Sequence, residues 1–203
     1  SEPALINPVG AGSEPALITY GKRRGRGMKY NQEINHRQSI RLKGYDYSSP
    51  GSYFVTICTQ NRDCIFGEIN NEKMVLNEYG KTVEFTWYDL LNHAANIELD
   101  EFIVMPNHFH GIINIIVGAG SEPAPTDNRN QHGLSEIIRQ LKTFTSKRIN
   151  TIRQTPCVSV WQRNYHDRII RDERELSGIR EYMQNNPSNW DSDRDNPYCK
   201  GRF

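Results

Sequence analysis

Cysteine is scarce in this chain of 203 residues, and long apolar stretches are absent. The four cysteines, Cys58, Cys64, Cys157 and Cys199, show no CxxC spacing. This pattern argues against a zinc knuckle and favours free thiols in a reducing compartment. No apolar run approaches the roughly 20 residues that a membrane span requires, and no secretory signal opens the chain. The sequence therefore predicts a cytoplasmic protein with no membrane partner.

A strong net charge is also lacking, because 25 Lys and Arg residues face 24 Asp and Glu residues. The positive charge is nevertheless concentrated locally. The stretch 129–153 carries Arg129, Arg139, Lys142, Lys147, Arg148 and Arg153 against Glu136 alone, and a second basic run covers 22–26. Such stretches are typical of a nucleic-acid groove, although a solvated helix face is the alternative explanation.

Short repeats rich in proline and glycine interrupt the sequence at 1–6, 9–18 and 117–125. They lack the apolar period of a packed element, so we expect flexible tail and loop there. Codons for Gly-Ala-Gly-Ser-Glu-Pro-Ala can form two reverse-complementary arms. One hypothesis is therefore that the repeats are translated palindromic DNA, and a duplicated linker is the other.

The remaining pattern predicts one folded domain over 28–190, after an N-terminal extension over 1–27. An inserted loop is expected at 118–127 and a C-terminal tail at 191–203. Apolar periodicity predicts strands at 53–59, 97–105 and 108–116, a hairpin within 64–76, and helices at 77–93, 135–150 and 172–187. We expect an α+β sandwich, in which an antiparallel-rich sheet carries helices on one face.

Two histidines separated by one residue are the most informative feature of the predicted sheet. His108 and His110 belong to an apolar run that is typical of a strand, with Phe109 between them. Alternate residues of a strand share a face, so both imidazoles point the same way. A pair of imidazoles aimed at one spot is a starting point for a divalent metal site.

The last predicted helix carries a tyrosine and an asparagine on one face. Tyr182 and Asn186 lie one helical turn apart, together with Leu176, Ile179 and Met183. A divalent ion held by His108, His110 and the amide oxygen of Asn186 would polarise a phosphodiester and help a tyrosine hydroxyl to attack it. Tyrosine ordinarily has a pKa near 10, so this assistance matters. A packed tyrosine, a helix-terminal asparagine and a histidine pair without metal explain the same residues.

Three segments in order resemble the single-tyrosine HUH transposases, and specifically the REP-associated tyrosine transposases. The segment Met-Pro-Asn-His-Phe-His at 105–110 resembles the HUH motif of two histidines around a hydrophobic residue. The segments 161–171 and 182–187 resemble the C-terminal signature of that family, and 39–47 resembles its N-terminal opening. The resemblance covers about residues 28–190, and the insert at 118–127 departs from the family pattern.

The resemblance implies a ferredoxin-like HUH-endonuclease fold and an activity. His108, His110 and Asn186 would hold Mg²⁺ or Mn²⁺, and Tyr182 would be the nucleophile. Such enzymes cut and rejoin single-stranded DNA beside REP hairpins through a 5′-phosphotyrosine link. A bacterial, nucleoid-associated protein is expected, acting as a monomer rather than a homodimer. The expected DNA contacts are Arg41, Lys43, Arg139, Lys142, Lys147, Arg163, Arg168 and Arg171.

Three other functions explain part of the same pattern. A domesticated REP-hairpin binder would have little or no cleavage activity. A replication initiator or relaxase of the wider HUH group is disfavoured by the short chain. A metallohydrolase that uses the histidines without Tyr182 would turn over DNA with no covalent adduct.

Overall fold

The computed structural model describes residues 44–116, 132–193 and 195–197. The predicted extension at 1–27, the inserted loop at 118–127 and the repeats therefore lie outside the described residues. Two of the expected DNA contacts, Arg41 and Lys43, also lie outside them.

The described residues form six strands and three helices. In chain order these are β1 (Gly51–Cys58), β2 (Gly67–Asn70), β3 (Lys73–Leu76), α1 (Glu78–Asp89), β4 (Ile97–Met105), β5 (His108–Ile115), α2 (Leu134–Ile152), β6 (His166–Ile170) and α3 (Glu173–Asn185). Short 3-10 turns cover Gln60–Arg62, Leu90–Asn92 and Trp190–Ser192. The order agrees with the predicted one, with β6 as an additional strand.

Four strands form one antiparallel sheet in the order β4-β5-β1-β6, and β2 pairs with β3 in a separate hairpin. When that hairpin is set aside, the chain runs β-α-β-β-α-β. This is the ferredoxin-like arrangement, in which two β-α-β units interleave their strands. The predicted α+β class with an antiparallel sheet is confirmed.

The main core lies between the sheet and helices α1 and α2. Alternate residues of β1 and β5 face this side, among them Tyr53, Val55, Ile57, Phe109 and Ile113. They pack with Val83 and Trp87 of α1 and with Ile138 and Leu141 of α2. Gly111 lies beneath Trp87, whose ring would be only 2.7 Å from a Cβ at that position.

The opposite face of the sheet is covered by α3. Ile112 of β5 and Ile170 of β6 pack there with Met183 of α3, and Phe54 and Ile103 lie at the border of this second cluster. The prediction that the helices share one face therefore holds for α1 and α2 but not for α3. Among the intervening residues of β1 and β5, Phe54 and Ile112 supply the apolar surface on which α3 packs.

Local signals set the helix boundaries. The Asn77 side chain accepts hydrogen bonds from the backbone of Tyr79 and Gly80 and begins α1. Asp172 caps α3 in the same way, by accepting from the backbone of Glu175, as predicted. Helix α2 begins earlier than predicted, with Gly133 at the N-cap, because the buried Leu134 joins the core and its N–H donates to the Tyr47 carbonyl.

The folded region extends past residue 190, where the sequence predicts a tail. Trp190 is buried, and its carbonyl accepts a hydrogen bond from the Asn196 side chain. Asp195 forms an ion pair with Arg62, which belongs to the turn after β1. In the part of the chain that the structure describes, no helix has both the length and the apolar character needed to cross a bilayer.

Candidate active site and metal centre

Strand β5 places both histidines on the face that α3 covers. His108 pairs with Cys58 and His110 with Thr56 in the register of β5 against β1. The two imidazole rings lie 4.6 Å apart, centroid to centroid, and both side chains are almost completely buried. The predicted convergence of the pair is therefore present in the fold.

Each imidazole uses Nδ1 within the protein and leaves Nε2 unused. The Nδ1 of His108 lies 2.9 Å from Oδ1 of Asn107, and the Nδ1 of His110 lies 2.8 Å from Oγ1 of Thr56. Neither Nε2 atom has a hydrogen-bond partner among the described residues. Metal-binding histidines characteristically anchor one ring nitrogen and offer the other.

Burial keeps both imidazoles neutral at pH 7. Loss of solvation lowers the pKa of His108 to about 4, although the Asp193 charge and the Asn186 side chain act in the opposite direction. Burial also lowers the pKa of His110 well below its ordinary value, and the neighbouring His108 lowers it further. A neutral imidazole has the free lone pair that a metal ion requires.

Asn186 brings a third unused atom to the same place. It follows α3 directly, is buried beside His108, and its Oδ1 has no described hydrogen-bond partner. A buried polar atom without a partner costs about 1–3 kcal/mol. The other such atoms in the described residues lie on α1, on α2 and at the far end of β5. The three atoms of His108, His110 and Asn186 therefore indicate a ligand at this point.

The donor set fits a divalent cation. Two imidazole nitrogens and one amide oxygen suit Mn²⁺ well and Mg²⁺ less well, since Mn²⁺ accepts nitrogen ligands more readily. Among the described residues, no three His, Cys, Asp or Glu side chains cluster as a metal site. The third ligand here would be an amide, and a site of this kind leaves positions for substrate oxygens.

Tyr182 of α3 lies against the histidines and remains accessible. Its ring is 5.5 Å from the His110 ring and 6.3 Å from the Phe54 ring, and half of the residue is exposed. The Phe54 ring also stacks on His110, with the two ring centroids 5.2 Å apart. The structure brings together all four residues that the sequence predicts for the metal and the nucleophile.

The predicted DNA contacts are divided between the two faces of the sheet. Arg139, Lys142 and Lys147 belong to α2, which packs on the face opposite to the histidines. Arg168 lies across from Phe54 on the histidine face. Arg163 precedes β6 and Arg171 follows it, and both are exposed.

Three of these cations already have partners within the protein. Arg139 forms two hydrogen bonds with Glu136, at 2.7 and 2.5 Å, and Arg168 pairs with Glu175 at 2.5 Å. The Lys142 ammonium donates to the carbonyls of Gln162 and Arg163, and burial lowers its pKa. Lys142 therefore also fastens α2 to the segment before β6.

Sequence reasoning missed the residues that support the site. Asn107 and Thr56 hold the histidine rings, Phe54 packs against both His110 and Tyr182, and Trp190 lies 6.0 Å from the His108 ring. Asn107 adjoins the histidine motif, and Thr56 and Phe54 lie within a predicted strand. Their roles depend on strand pairing, which was not assigned from the sequence.

Comparison with solved structures finds several similar chains, and two of these have low sequence identity. A REP-associated tyrosine transposase bound to a REP hairpin is 16% identical, with a TM-score of 0.47, and the match covers 69% of this chain and 68% of that one. A proposed transposase of Deinococcus radiodurans is 17% identical, with a TM-score of 0.43, and the match covers 71% of this chain and 95% of that one.

Comparison of sequences finds a much more similar protein. No sequence-family model matches the chain. A protein of Haemophilus influenzae, described as uncharacterized, is 42% identical over 175 residues, which cover 82% of this chain and 96% of that protein. This identity over most of both proteins shows that the chain belongs to the same family as the Haemophilus influenzae protein.

Proposed function

We propose that this chain is a metal-dependent endonuclease and strand transferase for single-stranded DNA, with Tyr182 as its nucleophile. The observation that carries the proposal is the group of three buried, unpartnered atoms, Nε2 of His108, Nε2 of His110 and Oδ1 of Asn186. A half-exposed tyrosine lies directly against this group. The motif resemblance to REP-associated tyrosine transposases supports single-stranded hairpins of REP type as the substrate.

The proposed reaction is a phosphoryl transfer to tyrosine. The hydroxyl oxygen of Tyr182 loses its proton to solvent and attacks the phosphorus, while the bond from phosphorus to the 3′-oxygen breaks and that oxygen takes up a proton. The products are a 5′-phosphotyrosine link and a free 3′-hydroxyl. A 3′-hydroxyl can attack this link in turn, so strands are rejoined without ATP because the bond energy is conserved.

The residues around Tyr182 have distinct tasks in this reaction. His108, His110 and Asn186 would hold Mg²⁺ or Mn²⁺, which when bound polarises the scissile phosphate. Phe54 packs against both Tyr182 and His110, and so keeps the nucleophile beside the histidines. Arg168 lies next to Phe54 on the histidine face, and its guanidinium, which pairs with Glu175, would contact a phosphate of the DNA there.

A covalent-adduct assay tests the proposal. The probe is an end-labelled, single-stranded hairpin oligonucleotide with the gene's own sequence across the repeat at 117–125, incubated with Mn²⁺. We expect a protein-linked DNA band on a denaturing gel with the wild type. The band should disappear with Tyr182→Phe and persist with Tyr88→Phe, whose tyrosine is equally exposed but lies on α1.

Two results would contradict the proposal in different ways. Binding of the hairpin without any adduct would make the chain a hairpin-binding protein. Cleavage that survives Tyr182→Phe would remove Tyr182 from the chemistry and indicate a metallohydrolase.

A further inference from the structure

Asn107 lies at the centre of a hydrogen-bond network beside the proposed metal centre. It occupies the turn between β4 and β5 and is 1% exposed. Its Nδ2 lies 3.1 Å from the Arg62 carbonyl and 2.7 Å from the Asp195 carbonyl. Its Oδ1 lies 2.9 Å from Nδ1 of His108.

These partners permit only one orientation of the Asn107 amide. An amide nitrogen donates hydrogen bonds, and an amide oxygen accepts them. Because Arg62 and Asp195 present carbonyl oxygens, the nitrogen must face them and the oxygen must face His108. The reverse orientation would place three oxygens together and leave the NH₂ group facing an imidazole.

The fixed amide in turn determines where His108 carries its proton. The Oδ1 of Asn107 can only accept, so Nδ1 of His108 must be the protonated nitrogen. The proton is then absent from Nε2, which is the atom that is buried without a partner. Thr56 does not impose such a choice on His110, because a hydroxyl both donates and accepts.

We propose that Asn107 is a positioning residue that holds His108 in the Nδ1-protonated tautomer and so presents Nε2 to a divalent cation. This inference rests on the proposed function for its ligand, and it adds the residue that prepares the site. Neutral imidazole in water favours the other tautomer, with the proton on Nε2, so the protein must enforce this one. Second-sphere partners of metal-binding histidines commonly have this role.

The network also makes the segment after α3 a part of the site. The Arg62 carbonyl belongs to a turn in which both Asn61 (φ 57°) and Arg62 (φ 60°) have left-handed backbone. The Asp195 carbonyl is held by the ion pair between Asp195 and Arg62. Asn107 therefore depends on two separate segments, the turn after β1 and the residues after Trp190, for the orientation of its amide.

Nitrogen NMR of the histidine rings in the metal-free protein tests this directly. Two-bond ¹H–¹⁵N correlation spectra distinguish protonated from unprotonated ring nitrogens, and His108→Gln identifies the His108 signals. We expect wild-type His108 to carry its proton on Nδ1. Asn107→Ala should move the proton to Nε2 and weaken Mn²⁺ binding, measured by titration calorimetry, about 10- to 100-fold.

A second buried asparagine supplies the matched control. Asn96 is 6% exposed, and both polar atoms of its side-chain amide form hydrogen bonds with the backbone of His132, away from the metal centre. Asn96→Ala should leave the His108 tautomer and the Mn²⁺ affinity unchanged.

The outcomes separate this inference from the proposed function. A wild-type His108 with its proton on Nε2, or an Asn107→Ala protein with the wild-type tautomer, would overturn the role of Asn107. Absence of Mn²⁺ binding by the wild type would overturn the metal-dependent function, and the tautomer in the metal-free protein would still decide the role of Asn107. If Asn107→Ala does not fold, the wild-type spectrum alone decides it.

Discussion

At the scale of single residues, the candidate site is recognised by the buried polar atoms that have no hydrogen-bond partner. Burial normally requires every polar atom to find a partner. In this protein the ring nitrogens that face Asn107 and Thr56 are satisfied, whereas the Nε2 atoms of His108 and His110 are not. Each ring therefore has one hydrogen-bonded side and one free side, and under the proposed function the free side would bind the metal ion.

The proposed role of Asn186 as a metal ligand can be tested separately from its structural position at the end of α3. Asn186→Ala should weaken Mn²⁺ binding by at least tenfold, because an amide oxygen ligand is removed from a three-ligand set. Asn185→Ala is the matched control, since Asn185 is exposed and adjacent in sequence. Titration calorimetry measures both. Equal Mn²⁺ affinities for the two variants would exclude Asn186 as a ligand.

The shared faces of the proposed site residues could be predicted from the sequence because these residues lie in short, local patterns. The spacing of His108 and His110 fixes their common face in any strand, and the spacing of Tyr182 and Asn186 fixes theirs in any helix. The contacts of Asn107 with Arg62 and Asp195 span 45 and 88 residues. Such contacts depend on the complete fold, and no local pattern indicates them.

At the scale of elements, α3 is fastened to the sheet at both of its ends and in its middle. Arg168 of β6 pairs with Glu175 near its start, and Arg180 forms two hydrogen bonds with Asp100 in the irregular part of β4. Gln184 also donates to Glu101. These contacts supplement a small apolar interface and hold the helix that carries Tyr182.

The pairing of Asp100 with Arg180 should appear as a pH-dependent part of the stability. Hydrogen bonds from Arg180 lower the pKa of Asp100 below its ordinary value of 3.8. A lowered carboxyl pKa stabilises the folded state above pH 3.8, and this contribution is lost as the pH falls through the lower, folded-state pKa. At pH 7 we expect Asp100→Asn to cost about 1 kcal/mol, a modest value because Arg180 is partly exposed to solvent.

Chemical denaturation at several pH values measures this contribution. The stability difference between wild type and Asp100→Asn should be constant between pH 7 and 5 and should shrink below pH 3.8. Glu98→Gln is the control, because Glu98 is exposed on the same strand. A difference that stays unchanged down to pH 2 would contradict the assignment of the ion pair.

Two glycines test how closely the helices approach the sheet. Gly111→Ala should destabilise the protein by about 1–3 kcal/mol, because its Cβ would lie 2.7 Å from the buried Trp87 ring and 2.9 Å from the Phe109 ring. Gly178 of α3 has open space around it, so Gly178→Ala should stabilise by about 0.5–1 kcal/mol. Thermal denaturation of both variants measures this contrast. Equal effects would contradict the packing of α1 on β5.

The elements themselves were predictable to different degrees. Helix α1 and strands β4 and β5 follow clear apolar periods, and Asn77 and Asp172 are recognisable caps. Strand β6 was not predicted, because it has only five residues and begins with the polar run His166–Arg168. Its place at the edge of the sheet explains this composition, since an edge strand tolerates exposed polar side chains.

At the scale of the whole molecule, the sheet separates the chemistry from much of the basic charge. The histidines and Tyr182 lie on the face that α3 covers, whereas the basic residues of α2 lie behind the opposite face. The basic stretch is visible in the sequence, but the sequence could not show on which face of the sheet these residues lie. That assignment depends on which side of the sheet each crossover helix occupies.

This separation predicts how DNA binding depends on salt. Arg171→Ala should reduce the slope of log K against log salt concentration by about 1, because Arg171 is an exposed residue outside α2 and one expected phosphate contact is lost. Lys147→Ala should leave the slope unchanged, since Lys147 lies on α2. Fluorescence anisotropy with the labelled hairpin measures both. The opposite result would place the DNA across α2.

The most direct test of the account is to identify the residue that becomes linked to DNA. After reaction with the hairpin and Mn²⁺, nuclease treatment leaves a short nucleotide on the protein, and trypsin releases residues 181–194, in which Tyr182 is the sole tyrosine. The account predicts that tandem mass spectrometry finds a nucleotide 5′-phosphate on Tyr182. A nucleotide on another residue, or cleaved DNA with an unmodified 181–194 peptide, would contradict it.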